Sequence, residues 1–149
     1  MNNKFLSFLS YIFMSTLYIL PALFLYGLSL YYPALTLPWA YFKNATGLTL
    51  LTWGWYGVLS LNFSWFANIA FLVGTQLFFL KKYKHAIWFS LISLFLGSTT
   101  FMLDSVHNNS KMQLYLGFYL WLGSFACLGA ISFYFMLYND SSHISDVKD

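Results

Sequence analysis

The sequence contains no arginine and no glutamate, and only 7% of its residues are charged. A soluble globular protein carries about 25% charged residues, so a soluble domain could not cover its surface with so few. Arginine is also the side chain best suited to holding phosphate or carboxylate groups through paired hydrogen bonds. These scarcities exclude an ordinary soluble domain and make nucleic acid an unfavourable partner.

Reactive side chains are equally scarce. Cys127 is the single cysteine, so no disulfide can form within the chain. The three histidines do not combine with cysteine or carboxylate residues in any metal-binding spacing. None of them lies inside an apolar run, where it could activate a serine or threonine hydroxyl. We therefore predict that the protein is not an enzyme and carries no cofactor or metal.

Long uncharged stretches fill most of the chain, at residues 5–42, 44–80, 86–103 and 112–139. A helix crosses the hydrocarbon core of a bilayer with roughly 20 mostly apolar residues. We predict an all-α integral membrane bundle of four transmembrane helices, with spans at about 5–31, 61–80, 86–103 and 113–138. These spans form one domain of residues 1–138, followed by a disordered cytoplasmic tail at 139–149.

The stretch from Leu48 to Leu80 is longer than one upright span requires. It could form a short interfacial helix over 48–58 followed by the second span, or one long tilted helix. Two glycines weaken the first half of the stretch as a helix. Trp53, Trp55 and Tyr56 cluster there as aromatic residues do at membrane interfaces. Both features favour the interfacial helix.

The lysines predict the orientation. With four spans, one side of the membrane holds five of them (Lys4, Lys81, Lys82, Lys84 and Lys148), and the other side holds Lys43 and Lys111. Cytoplasmic loops carry the excess of positive charge in membrane proteins. We therefore predict that both termini are cytoplasmic and that the lysines contact the headgroups of the lipid bilayer.

Amide side chains in the second span are the first candidates for a site. Asn68 and Gln76 lie two turns apart on one helix face. An unpaired amide in hydrocarbon costs several kcal/mol, so we expect both side chains to face protein. Asp104 is the only carboxylate near a span, and its place at the end of span three predicts a boundary residue close to water.

Two tryptophans extend this candidate polar cluster. Trp65 shares a face with Asn68, and Trp121 shares a face with Ser124 in the fourth span. Because both pairs enter the same leaflet, we expect indole N–H groups and the amide to meet. The result would be either a structural lock between helices or a shallow outward-facing pocket, and the sequence does not separate the two.

Small residues recur four apart in the third and fourth spans. Such pairs allow two helices to approach closely in lipid, where no hydrophobic force drives their association. They predict close packing within the bundle, or contact with a membrane-protein partner or a second copy of the chain. The pairs are Ser93 with Gly97, Gly123 with Cys127, and Ala126 with Ala130.

Several short motifs follow one another in a recognisable order: Tyr32-Pro33-Ala34-Leu35, Thr52-Trp53-Gly54-Trp55, Ser64-Trp65-Phe66-Ala67-Asn68, and the stretch 116–124. This order resembles a group of small bacterial multi-pass membrane proteins of unknown function. The resemblance covers about residues 30–125, and Phe118 stands where the group has tyrosine. It implies a bacterial source and a multi-pass protein of the inner (cell) membrane, without implying an activity.

These features predict a non-enzymatic multi-pass membrane protein. We expect an accessory, immunity-type or assembly subunit that acts through helix contacts with another membrane component. The alternative is a small transporter or channel that uses the polar line of Asn68 and Gln76 in span two, extended by Asp104.

Overall fold

The computed structural model describes residues 3–36, 44–60, 62–102 and 113–145. This part of the chain is mostly helical, as the composition predicts. Its elements are α1 (Asn3–Tyr31), β1 (Pro33–Leu35), β2 (Ala45–Thr46), α2 (Gly47–Trp53), a 3-10 helix (Gly54–Ser60), α3 (Phe66–Phe79), α4 (Tyr83–Ser98), a second 3-10 helix (Thr99–Met102) and α5 (Leu116–Ser145).

Two of the described helices are long and apolar enough to cross a membrane, over Phe13–Tyr31 in α1 and Leu116–Tyr138 in α5. Only two of the four spans predicted from the sequence are therefore matched by a described helix of sufficient length. With 14 residues, α3 reaches only about 21 Å at 1.5 Å per residue, and α4 has 16 residues. Both are shorter than the roughly 20 residues of an upright span.

The stretch between β2 and α3 is broken, as the interfacial-helix interpretation expects. A short α2 and a 3-10 helix precede α3, which begins at Phe66 and not at residue 61. The later start has a local cause, because the side-chain oxygen of Asn62 accepts a hydrogen bond from the backbone N–H of Ser64 at 2.8 Å. This Asx turn offers the backbone an alternative to helix at that point.

Helix α5 organises the bundle, since it packs along both α1 and α4, while α3 packs mainly against α4. Close approach depends on small residues. A Cβ atom on Gly97 of α4 would lie 2.7 Å from a methyl carbon of Leu122, and one on Gly129 of α5 would lie 2.6 Å from Oγ of Ser90. The Ser93 and Gly97 pair is thus buried inside the bundle.

The other two small-residue pairs are not used in this way. A Cβ atom on Gly123 would meet nothing within 4 Å, and Ala126 and Ala130 are exposed. Ala126 and Ala130 therefore lie on an outer face of α5, whereas Cys127 is partly buried against the core.

A small antiparallel sheet, absent from the all-α prediction, joins the helices at one end. Strand β1 pairs with β2, and Leu35 forms a bridge with Leu114 on its other side. Glycine permits the tight approach at two points. A Cβ atom on Gly117 would lie 2.6 Å from the carbonyl oxygen of Tyr32, and one on Gly47 would overlap the carbonyl oxygen of Ser29. We call this the strand end of the bundle.

The last helix also differs from the prediction. Helix α5 continues to Ser145, so the first part of the tail predicted to be disordered, from residue 139, is helical. Residues 139–145 contain no proline or glycine, the two residues that disfavour a helix most strongly.

Candidate functional site

Asn68 connects three helices at the strand end. Its side-chain oxygen accepts hydrogen bonds from the hydroxyl of Tyr26 in α1, at 2.9 Å, and from the indole N–H of Trp121 in α5, at 2.8 Å. Because an indole N–H can only donate, the atom facing Trp121 must be the amide oxygen. The amide nitrogen of Asn68 donates a hydrogen bond to the carbonyl oxygen of Trp65 at 3.0 Å. We call Tyr26, Asn68 and Trp121 the Asn68 junction.

The junction ties α3 to α1 and α5, whose backbones lie further from it than the backbone of α4 does. Asn68 is 7% exposed, so its hydrogen bonds are shielded from water and lipid. Aromatic rings enclose it. The ring of Tyr26 stacks on Phe71 at 4.8 Å, and Trp121 meets Phe125 edge to face at 4.9 Å. Such ring pairs add packing energy to the hydrogen bonds.

The remaining members of the predicted cluster lie beside the junction with partners of their own. The indole N–H of Trp65 donates to the carbonyl oxygen of Leu51 at 2.8 Å, which ties α3 to α2. Ser124 is buried, and its hydroxyl donates to the carbonyl oxygen of Trp121 one turn earlier, at 2.6 Å. The structure therefore places Trp65, Asn68, Trp121 and Ser124 together, with only one of the two indoles bound to the amide.

Gln76 does not share the environment of Asn68. Its side chain is exposed, contrary to the expectation that it faces protein, because α4 and α5 cover a face of α3 that includes Gly74, Thr75 and Phe78. Asp104 lies outside the described residues. The polar line expected for a transporter thus gains no support from the positions of its two described amides.

Sequence reasoning missed Tyr26. It is one of 12 tyrosines, and its position inside an apolar run gave no reason to select it. A buried tyrosine hydroxyl usually finds a hydrogen-bond partner. This tendency was the one signal that could have pointed to Tyr26.

A pocket of about 340 Å³ adjoins the junction at the strand end. Its walls come from the end of α1, from β1, β2 and α2, from both 3-10 helices, and from the starts of α3 and α5. Apolar and aromatic side chains provide most of the surface. Asn68 and Trp121 line it, together with polar residues that include Asn62, Ser64 and Thr100.

The described residues that line this pocket are all uncharged. Among residues 3–36, 44–60, 62–102 and 113–145, no three His, Cys, Asp or Glu side chains come together as a metal site requires. The volume and the mostly apolar walls with a few polar groups are typical of small-molecule sites. The structure thus has interhelical hydrogen bonds at Asn68 and a pocket beside them.

Comparisons of the chain with protein-family models, with curated proteins and with solved structures found no match.

Proposed function

We propose that the protein is a bacterial inner-membrane protein with four spans that works by binding another membrane component, as an accessory, immunity-type or assembly subunit. The observation that carries this proposal is the strand-end pocket. It is large enough for a ligand group, the described residues that line it are uncharged, and aromatic side chains are among them. Such a site binds and orients a molecule without transforming it.

The surface of the bundle supports the membrane setting. Large apolar side chains face outward on both long helices and on α4, including Phe13 at 70% exposure, Phe24 and Phe95 at 72% exposure. Exposed apolar patches of this kind mark contact with lipid or with a partner. The shorter α3 and α4 would complete the four spans, α4 together with the 3-10 helix that follows it and α3 with local thinning of the bilayer.

Photo-crosslinking tests the binding function. Tyr56 lines the pocket and is also exposed, so p-benzoylphenylalanine in its place would sample the mouth with little change in shape. Phe95 on α4 provides the matched control, because it is exposed and is not among the described residues that line the pocket. We expect a discrete adduct from position 56 in cells and only scattered lipid products from position 95. Identical product patterns from the two positions would refute the proposal.

The proposed topology has its own test. Lysine asymmetry supports cytoplasmic termini, with Lys81, Lys82 and Lys84 at the end of the bundle opposite the pocket. A fluorescent protein fused after Asp149 should therefore fluoresce, and alkaline phosphatase fused there should be inactive. The opposite result would reverse the orientation and put the pocket on the cytoplasmic side.

A further inference from the structure

The strand-end pocket has features that define the class of molecule it would hold. We propose that it binds an uncharged hydrocarbon chain of about a dozen carbon atoms carrying an oxygen near one end, as in a fatty acyl ester or a fatty alcohol. This proposal rests on the binding function above and names its ligand.

The size of the pocket sets the length of the chain. An apolar cavity of about 150 Å³ holds benzene, which has six carbon atoms. A pocket of about 340 Å³ is a little over twice that volume, and so accommodates roughly a dozen carbon atoms by the same proportion. A complete phospholipid is far larger, so one chain would enter while the rest of a lipid remained outside.

The absence of charge among the described lining residues limits the kind of ligand chain that can enter the pocket. Among the described residues, no lysine, histidine or aspartate lines the pocket. A carboxylate, phosphate or ammonium group inside it would lose its hydration without gaining an ion pair, which is strongly unfavourable. The part of the ligand that enters is therefore uncharged.

The hydroxyl of Thr100 explains why the chain should carry an oxygen. Thr100 lines the pocket and is 3% exposed. Its hydroxyl can donate one hydrogen bond. The oxygen of an ester or alcohol in the pocket would accept that hydrogen bond. Tyr56 and Trp53 also line the pocket and are exposed, as aromatic residues are at the headgroup level where lipid ester groups lie.

Gly57 indicates that the space is kept open for a ligand. A Cβ atom there would lie 3.5 Å from the carbonyl oxygen of Asn62, an ordinary contact, and its backbone does not require glycine. Packing alone would accept a methyl group at this position. Gly57 therefore differs from Gly47 and Gly117, where neighbouring backbone leaves no room for one.

Quenching of tryptophan fluorescence by bromine gives a direct test, because Trp65 and Trp121 line the pocket. The protein would be held in an amphipathic polymer, since alkyl detergents would compete, and titrated with bromine-labelled dodecanol. We expect saturable quenching that unlabelled dodecanol reverses. Quenching that rises linearly and is not reversed would overturn the proposal, whatever the variants do.

Two leucine substitutions locate the binding. Gly57→Leu should weaken binding roughly tenfold, because displacing two methylene groups of the ligand costs about that factor. Gly27→Leu on α1 is the matched control, since a Cβ atom there meets nothing within 4 Å, and it should leave the affinity unchanged. Equal affinities for the two folded variants would place the bound chain elsewhere and refute the proposal.

Thr100→Val tests the oxygen and does not depend on Gly57→Leu folding. It should weaken binding of the alcohol roughly two- to tenfold, the value of one hydrogen bond, while leaving binding of bromododecane unchanged. Parallel losses for alcohol and alkane would contradict the assigned hydrogen bond.

Nanodiscs separate the two sources of such a chain. With lipid brominated in mid-chain, stronger quenching in the native protein than in Gly57→Leu would identify a bilayer acyl chain as the ligand. Equal quenching, after saturable binding of the alcohol, would identify a free amphiphile. A discrete crosslink from position 56 that dodecanol does not reduce would preserve the binding function and refute the hydrocarbon chain as its ligand.

Discussion

Replacing Asn68 by leucine should destabilise the bundle by removing both hydrogen bonds that join α3 to α1 and α5. The Tyr26 hydroxyl and the Trp121 N–H, at 2.9 and 2.8 Å from the amide oxygen, would both lose their acceptor. Interhelical hydrogen bonds in membrane proteins contribute about 0.6 kcal/mol on average and up to about 1.7 kcal/mol. For two bonds to one buried oxygen, we expect a loss of about 1–3 kcal/mol.

Unfolding by sodium dodecyl sulfate in mixed micelles, followed by circular dichroism, measures this loss. Gln76→Leu is the matched control, because it makes the same chemical change on the same helix at an exposed position. It should change the free energy of unfolding by no more than about 0.5 kcal/mol. Tyr26→Phe removes one donor alone and should cost less than Asn68→Leu.

Comparing Asn68→Leu with Gln76→Leu tests whether the Asn68 junction stabilises the bundle. If Gln76→Leu costs as much as Asn68→Leu, the junction does not stabilise the bundle. If Tyr26→Phe has no effect in the Asn68→Leu background but a clear effect in the native protein, the two residues are coupled as the structure indicates. Full additivity of the two changes would refute that coupling.

Three further predictions concern helix packing and can be measured by the same unfolding assay. Gly129→Ala should cost about 1–3 kcal/mol, as overpacking typically does, because its methyl group would lie 2.6 Å from Oγ of Ser90; an unchanged stability would show that α4 and α5 are further apart. Ser90→Ala should recover part of that loss, although it removes a hydrogen bond to the carbonyl oxygen of Phe125, and a larger loss in the double variant would contradict the clash. Thr75→Val and Ser132→Ala should each be neutral or stabilising, because both hydroxyls are buried without a partner in the described structure. A loss of stability above about 1 kcal/mol in either variant would indicate a hydrogen-bond partner for that hydroxyl.

Several features of the fold could be predicted from particular residues. The apolar runs around Pro21 and Ser124 predicted long helices, and α1 and α5 are found there. The glycines and tryptophans of residues 53–57 predicted the break before α3, since they favour an interface over a helix interior. Both predictions depend on neighbouring residues alone, because hydropathy, propensity and capping act over short stretches of the chain.

What the sequence determined by itself about the site was that Asn68 should find a partner, because a bare amide is costly away from water. Only the tertiary structure decided which partners those are. Tyr26 and Trp121 lie 42 and 53 residues from Asn68 along the chain, and they meet it through the rotation and depth at which three helices pack. The same packing left Gln76 exposed, although it shares a helix with Asn68, and it left a pocket open at the strand end. Rotation and depth depend on the sum of many small contacts across helices, and no local pattern in one segment records that sum.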